Sequence, residues 1–167
     1  MSTTNKQELL AQLIEKAFSY QLKNQHDAAI QIFQKMINIE PDNSDAHHFL
    51  GVSYMEQKKF NKAIPELEYA LKLKPELDYY YCNLGFAYWK NNQMQQAVDC
   101  LRKGMKLNNN NKFIHINLAQ TLLDMGKIED SLAECRKCID KYPDDFTLFF
   151  FLILIEYRLC KKNIVLA

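Results

Sequence analysis

Glycine and proline are scarce in this chain, four of each in 167 residues. An all-β protein needs many tight turns, and those turns draw heavily on both residues. The shortage therefore speaks against a strand-rich fold. Cysteine is present in an odd number, five, and the spacings form no disulfide framework. These thiols read as reduced and mostly buried. Residues 1–8 (MSTTNKQE) carry no apolar export segment, so the expected location is cytoplasmic. Charge of one sign is missing too: Lys plus Arg number 21 and Asp plus Glu 20. A near-neutral chain lacks the basic face that nucleic acid selects and that an anionic membrane surface attracts. Long apolar runs are also absent. The longest, residues 146–155 (FTLFFFLILI), is followed at once by Glu156 and Arg158. It is about half of the roughly 20 residues a bilayer span needs. No membrane insertion is expected, and the run reads as a helix covered on two sides.

What the chain does have is a period. An offset of 34 residues aligns Leu50, Leu84, Leu118 and Leu152. The next position holds Ala17, Gly51, Gly85 and Ala119, all small; three further on stand Tyr20, Tyr54, Tyr88 and Leu122. Later in the window come Ala29, Ala63, Ala97 and Ser131, then Phe33, Leu67, Leu101 and Cys135. Pro41, Pro75, Asn109 and Pro143 close it. No insertion or deletion interrupts this register over residues 10–145.

Helical geometry explains the period. His47, Leu50, Gly51 and Tyr54 form one stripe of an α-helix, and Ala63, Leu67, Ala70 and Leu71 form a second. Polar pairs separate the two helices of each unit: Asn24-Gln25, Lys58-Lys59, Asn92-Gln93 and Gly126-Lys127. The small residues permit close backbone approach, and proline ends the second helix because it lacks an N–H. Asp42, Asn43, Ser44 and Asp78 suit the role of helix caps. Pro65 is expected in the first turn of its helix, where N–H groups lack partners anyway. The asparagine run at 108–111 is assigned no role.

With Leu-Gly, Tyr, Ala and Pro in phase, and with Tyr81-Cys82-Asn83-Leu84-Gly85-Phe86-Ala87-Tyr88 as a first helix, the chain resembles the tetratricopeptide repeat (TPR) family. The resemblance implies an all-α, right-handed superhelical solenoid of antiparallel helix hairpins. The expected organisation is a flexible leader at 1–9, four hairpins at 10–43, 44–77, 78–111 and 112–145, and a partial fifth repeat at 146–167. The fifth window is expected to supply one helix to about residue 159 and to stop barely one turn into the next. Its apolar residues Phe150, Phe151, Leu154 and Ile155 have no evident cover, which reads either as a cut through a longer solenoid or as an interface.

Candidate chemistry is sparse. Cys135 and Cys138 form a lone CxxC; zinc wants about four ligands, and both fall at helix-packing positions. His47 and His48 point about 100° apart on a helix and cannot chelate together. His47 and His115 take an inward position, whereas His48 faces the groove side. No catalytic set or phosphate-binding loop stands out. Neither enzymatic activity nor a cofactor or metal is expected.

The expected activity is binding another protein, an extended peptide or amphipathic helix, on the concave face lined by first helices. The residues offered there are His48, Val52, Met55, Tyr79, Asn83, Phe86, Trp89, Phe113, Asn117 and Gln120. Tyr79, Phe86, Trp89 and Phe113 are expected to form an aromatic wall. The resemblance further implies that Asn83 and Asn117, equivalent in adjacent repeats, grip a peptide backbone through their amides. Family members that hold acidic chaperone tails use paired cations. The matching positions here hold Ile14, Phe18, Phe49, Tyr79 and Asn83, or one repeat later His48, Val52, Asn83, Phe113 and Asn117, so that ligand is not expected. The leading reading is thus an interaction scaffold or adaptor. An alternative is the substrate-docking region of a larger enzyme, such as a protein glycosyltransferase, truncated at Ala167. A third is self-association through residues 146–155.

Overall fold

A computed structural model describes the backbone of residues 3–166 and the side chains of residues 5–161. Met1, Ser2 and Ala167, and the side chains of the segment read as the start of a further helix, lie outside the described residues. Among the described residues every regular element is an α-helix, and the chain divides into two compact units, Met1–Glu76 and Leu77–Ala167.

The first unit contains α1 (Thr3–Leu22), α2 (His26–Ile39), α3 (Ser44–Glu56) and α4 (Phe60–Leu73). Each packs on the next in order. The core of the first hairpin and α3 joins Leu13, Ala17, Ala29, Phe33, Met36 and Leu50. Phe18, Phe33 and Phe49 lock across it, Phe18 edge-on to Phe49 at 4.9 Å and Phe33 stacked on Phe49 at 5.7 Å. Residues 3–9, expected as a leader, are helical. They contain no Gly or Pro to stop α1, and Lys6 reaches Glu40 at 3.0 Å. Pro65 departs from expectation as well. It is the sixth residue of α4, beyond the first turn. Both Pro65 and Asn61, whose carbonyl loses its amide partner, are exposed, so the missing bond falls on the solvent side of the helix.

The second unit contains α5 (Asp78–Lys90), α6 (Met94–Leu107), α7 (Lys112–Asp124), α8 (Ile128–Lys141) and α9 (Phe146–Leu166). Successive helices pack again, and the neighbouring first helices α5 and α7 touch. One core cluster joins Cys82, Val98, Leu101, Ile114, Leu118 and Leu122; another joins Ala119, Leu123, Cys135 and Ile155.

The hairpin turns have one construction. Asn24, Lys58, Asn92 and Gly126, 34 residues apart, all take left-handed φ between 56° and 76°. The following N–H groups of Gln25, Lys59, Gln93 and Lys127 donate to Tyr20, Tyr54, Tyr88 and Leu122 at 2.8–2.9 Å. This is the Schellman closure of a helix end. Lys58 adopts it although a non-glycine residue there costs about 1 kcal/mol, because α4 packing on α3 requires the reversal.

The close approach expected of Gly51 and Gly85 is observed. A Cβ on Gly51 would lie 2.6 Å from Leu67 Cγ, and one on Gly85 would lie 2.5 Å from Leu101 Cγ. The fourth repeat solves the same contact by exchange. Ala119 brings a Cβ where the others have none, and Cys135 replaces the leucine opposite it; both are 1% exposed. Ser131 donates to the Ala119 carbonyl at 2.7 Å, so its hydroxyl is satisfied in the core.

The asparagine run has structural roles that sequence reasoning missed. Asn111 caps α7 by accepting from Phe113 N at 3.1 Å, as Asn43 caps α3 by accepting from Ala46 N at 2.9 Å. Asn108 and Asn111 also donate to Asp78 at 3.1 and 2.6 Å, so Asp78 anchors the inter-repeat turn. Lys141 donates to the Asn109 carbonyl at 2.6 Å, and Tyr142 to that of Asn110. A run of short amides satisfies several backbone and side-chain groups at once, which is why it tolerates the loss of the closing proline.

Candidate functional site

In the second unit the first helices α5 and α7 share a face, and α9 borders it. Trp89, near the end of α5, donates its indole N–H to Asp124 on α7 at 2.9 Å. Gln120, one turn earlier on α7, donates to the other oxygen of Asp124 at 3.1 Å. Arg158 on α9 lies 3.8 Å from the same carboxylate. Phe86 packs edge-on to Trp89 with ring centroids 5.5 Å apart. The Lys90 ammonium sits 3.5 Å over the Trp89 ring and 5.5 Å from that of Phe86. Cation–π contacts of this kind contribute roughly 0.5–1 kcal/mol at an exposed site. Asp124 was not singled out from sequence. The available signal was the 34-residue ladder Glu56, Lys90, Asp124, Arg158, alternating in sign at one helix position.

The four aromatic residues expected as one wall are divided by the structure. Phe86 and Trp89 pair, whereas Tyr79 packs edge-on to Tyr80 at 4.8 Å near the start of α5. Seven residues from Tyr79 to Phe86 span roughly 10 Å of helix. Phe113 occupies the position of Tyr79 one repeat later, is 61% exposed, and has Lys112 5.5 Å from its ring. Asn83 and Asn117 are half-buried in their helices, and Asn117 also donates to Cys82 Sγ at 3.5 Å.

In the first unit, Val52 and Met55 are half-buried on α3. Val52 lines an open groove of about 440 Å³ together with Phe18, Gln21, Leu22, Asn24, His26 and Glu56. His48 does not face an open surface. It is 4% exposed and packs edge-on to Phe49 at 5.1 Å, and burial pushes its pKa down to about 4. His48 shares one stripe of α3 with Val52 and Met55, but the surface is covered at its depth, so a neutral imidazole fills space there.

His47 and His115, expected as packing residues, make polar pins. His115 places Nδ1 2.6 Å from Glu134 and Nε2 2.9 Å from the Asn109 carbonyl. His47 repeats the arrangement in the first unit, with Glu66 at 2.7 Å and the Pro41 carbonyl at 2.9 Å. At His115 the carbonyl and the carboxylate only accept, so that ring is satisfied on both sides as an imidazolium donating twice. Accordingly the His115 pKa is raised by its bond to Glu134, and the Glu134 pKa is lowered by the same bond. A histidine followed 19 residues later by glutamate, recurring after 68 residues, was the legible signal.

Among the described residues no group of three or more His, Cys, Asp or Glu side chains is arranged to hold a metal. Cys82, Cys135 and Cys138 are buried, and burial raises each thiol to about 11. Cys160 is exposed. A thiolate is the reactive species, so a disulfide-exchange reagent at neutral pH is expected to modify Cys160 quickly. The four buried thiols, Cys100 among them, should follow only at the rate of unfolding. Fast modification of Cys135 in the folded chain would contradict this packing. No helix among the described residues is long and apolar enough to cross a membrane.

Comparisons with known proteins agree with this geometry. A family profile described as "TPR repeat" matches residues 51–92, and one described as "Tetratricopeptide repeat" matches residues 13–43, 79–111 and 114–145. No curated protein sequence matches significantly. Among solved structures, MamA superposes with a TM-score of 0.80 at 23% identity, over 89% of this chain and 81% of that one. YrrB, described as a TPR protein with an unusual peptide-binding site, gives 0.73 at 19% identity, over 90% and 77%. An O-GlcNAc transferase mutant from Thermobaculum terrenum gives 0.79 at 22% identity, over 85% of this chain but 28% of that one. The chain belongs to the tetratricopeptide repeat family and is, in that family's general sense, a protein-interaction repeat.

Proposed function

We propose that the chain is a scaffold or adaptor that binds a peptide segment or amphipathic helix of another protein along the face of its first helices. The observation that carries this reading is the constellation Phe86, Trp89, Gln120 and Asp124 on α5 and α7. It combines aromatic edges with fixed polar groups on adjacent helices. Half-buried aromatics contribute apolar contact at low entropic cost. The Asn83 and Asn117 amides, one repeat apart, would meet successive peptide units. Val52 and Met55, with the groove beside Val52, offer a comparable surface in the first unit. Tyr79 and Phe113 extend the second-unit surface toward the helix starts. His48 is the weakest member of the set, because it is buried. The peptide-binding site described for YrrB adds support by likeness.

Trp89 is the sole tryptophan, so its fluorescence reports on this surface alone. Peptides selected from a random display library against the intact chain are expected to shift Trp89 emission. A folded Phe86→Ala, Trp89→Ala variant should bind them about 10- to 100-fold more weakly. Selected peptides that leave the emission unchanged and bind the variant at full strength would remove the reading.

A second reading, a docking region within a larger protein glycosyltransferase, is favoured by the likeness to the Thermobaculum terrenum enzyme. A reading frame continuing past Ala167 into a catalytic sequence would support it, and a stop codon there would eliminate it.

A further inference from the structure

Over residues 146–155 the helix α9 is apolar on every side but for Thr147. Its inner face, with Leu148 and Ile155 at 1% and 0% exposed, is buried. Ile155, expected to lack cover, instead joins the core cluster of Ala119 and Cys135. The outer face of α9 presents Phe146 at 78%, Phe150 at 75%, Ile153 at 62% and Tyr157 at 65%, flanked by Phe149 and Leu154. At 100° per residue these six lie within one stripe of about 140°.

The repeat itself indicates what cannot cover this stripe in the ordinary way. Ile153 stands where earlier first helices carry Gly51, Gly85 and Ala119, the positions against which the second helix packs. Even a Cβ at Gly51 or Gly85 would come within 2.6 Å of the opposing leucine. An isoleucine therefore excludes a second helix at that spacing. The turn is missing as well. Cys160 aligns with Asn24, Lys58, Asn92 and Gly126, yet α9 continues through it as helix to Leu166.

We propose that α9 is a self-association helix, packing antiparallel against α9 of a second copy about a two-fold axis near Ile153 and Leu154. The area suffices. The open fractions of these six side chains, scaled to the 150–250 Å² of an exposed aromatic, amount to about 540–900 Å² per copy. Two copies bury about 1,100–1,800 Å², most of which lies within the range of specific interfaces. Charge complementarity sets the direction. Exposed Asp144 precedes α9 and exposed Lys161 lies near its other end, so only the antiparallel pair brings opposite charges together at both ends. In this register Phe150 faces Tyr157 of the second copy. The proposal does not rest on the peptide-binding reading, although Leu154 and Tyr157 align in the repeat with Phe86 and Trp89.

Sedimentation velocity on the intact chain is expected to show a dimer forming in the micromolar range. Phe150→Asp combined with Ile153→Asp alters exposed positions only, so helicity by circular dichroism should be unchanged. Association should weaken about 100-fold or more, since two charges would enter an apolar interface. A milder variant fixes the geometry. Ile153→Cys in a Cys160→Ser background should cross-link under mild oxidation. Native Cys160 should not, because antiparallel packing holds its two copies roughly 20 Å apart. A chain that stays monomeric at about 200 µM, more than tenfold above such a constant, overturns the proposal. So does cross-linking through Cys160 in preference to position 153.

Discussion

Glu134→Ala is expected to destabilise the second unit by about 3 kcal/mol or more, because it strands the His115 imidazole in the core. His115 is 2% exposed and its two nitrogens meet only acceptors, Glu134 at 2.6 Å and the Asn109 carbonyl at 2.9 Å. Removing the carboxylate leaves a buried donor without its charge partner, and Lys137, 3.3 Å from Glu134, loses its anion as well. Breaking the pair is costly, but the pair itself need not be strongly stabilising, since desolvation offsets much of its attraction. The equivalent positions in the first repeat, Leu13 and Ile32, are apolar. The double variant His115→Leu, Glu134→Ile should accordingly recover most of the loss.

The pair also gives stability a definite pH dependence. His115 has a raised pKa in the folded chain, so its contribution is fully present below the unfolded value of about 6.5 and is lost as pH rises through the folded value. Glu134 has a lowered pKa, so its contribution is present above about 4.5 and is lost as pH falls through the folded value. The contribution is therefore largest between these limits and declines on either side. Urea unfolding midpoints from pH 4 to 9 should show the alkaline decline in the native chain, and a weaker one in the double variant. Equal slopes in both would refute the pin.

Gly85→Ala is expected to cost about 2 kcal/mol by overpacking, since the added Cβ would lie 2.5 Å from Leu101 Cγ. Leu101→Cys alone should cost about 2–3 kcal/mol, from lost burial and the cavity left behind. Combined, the two recreate the Ala119 and Cys135 pairing of the fourth repeat. The double variant should then be more stable than additivity predicts by about 1 kcal/mol or more. Urea titrations of the four proteins measure this coupling directly. Additive losses would show that the fourth repeat owes its stability to something other than the exchange of volume.

These two sites mark the boundary of what was legible beforehand. The helix hairpins and their 34-residue spacing could be read from residues 10–145, because helical period, small residues and turn chemistry are all local. The close approach at Gly51 and Gly85 followed from the same pattern. Packing partners across the chain were less accessible. That Cys135 answers Ala119 required seeing which side chains meet, and the asparagines at 108 and 111 pin the inter-repeat turn only because the fold brings Asp78 beside them. His48 was misread for a related reason: sequence fixes its angle on α3 but not the depth of the surface on that side.

At the candidate site the same division holds. Sequence alone determined the repeat family, the all-helical architecture and the concentration of aromatic residues on α5, because periodicity and composition are properties of the chain itself. Only the tertiary structure decided that Trp89 is tied to Asp124 under the Lys90 ammonium. It also decided that α9 runs on as one helix with a bare apolar stripe. These depend on distances between residues about 35 apart or more, or on whether a turn forms, and no local preference specifies either.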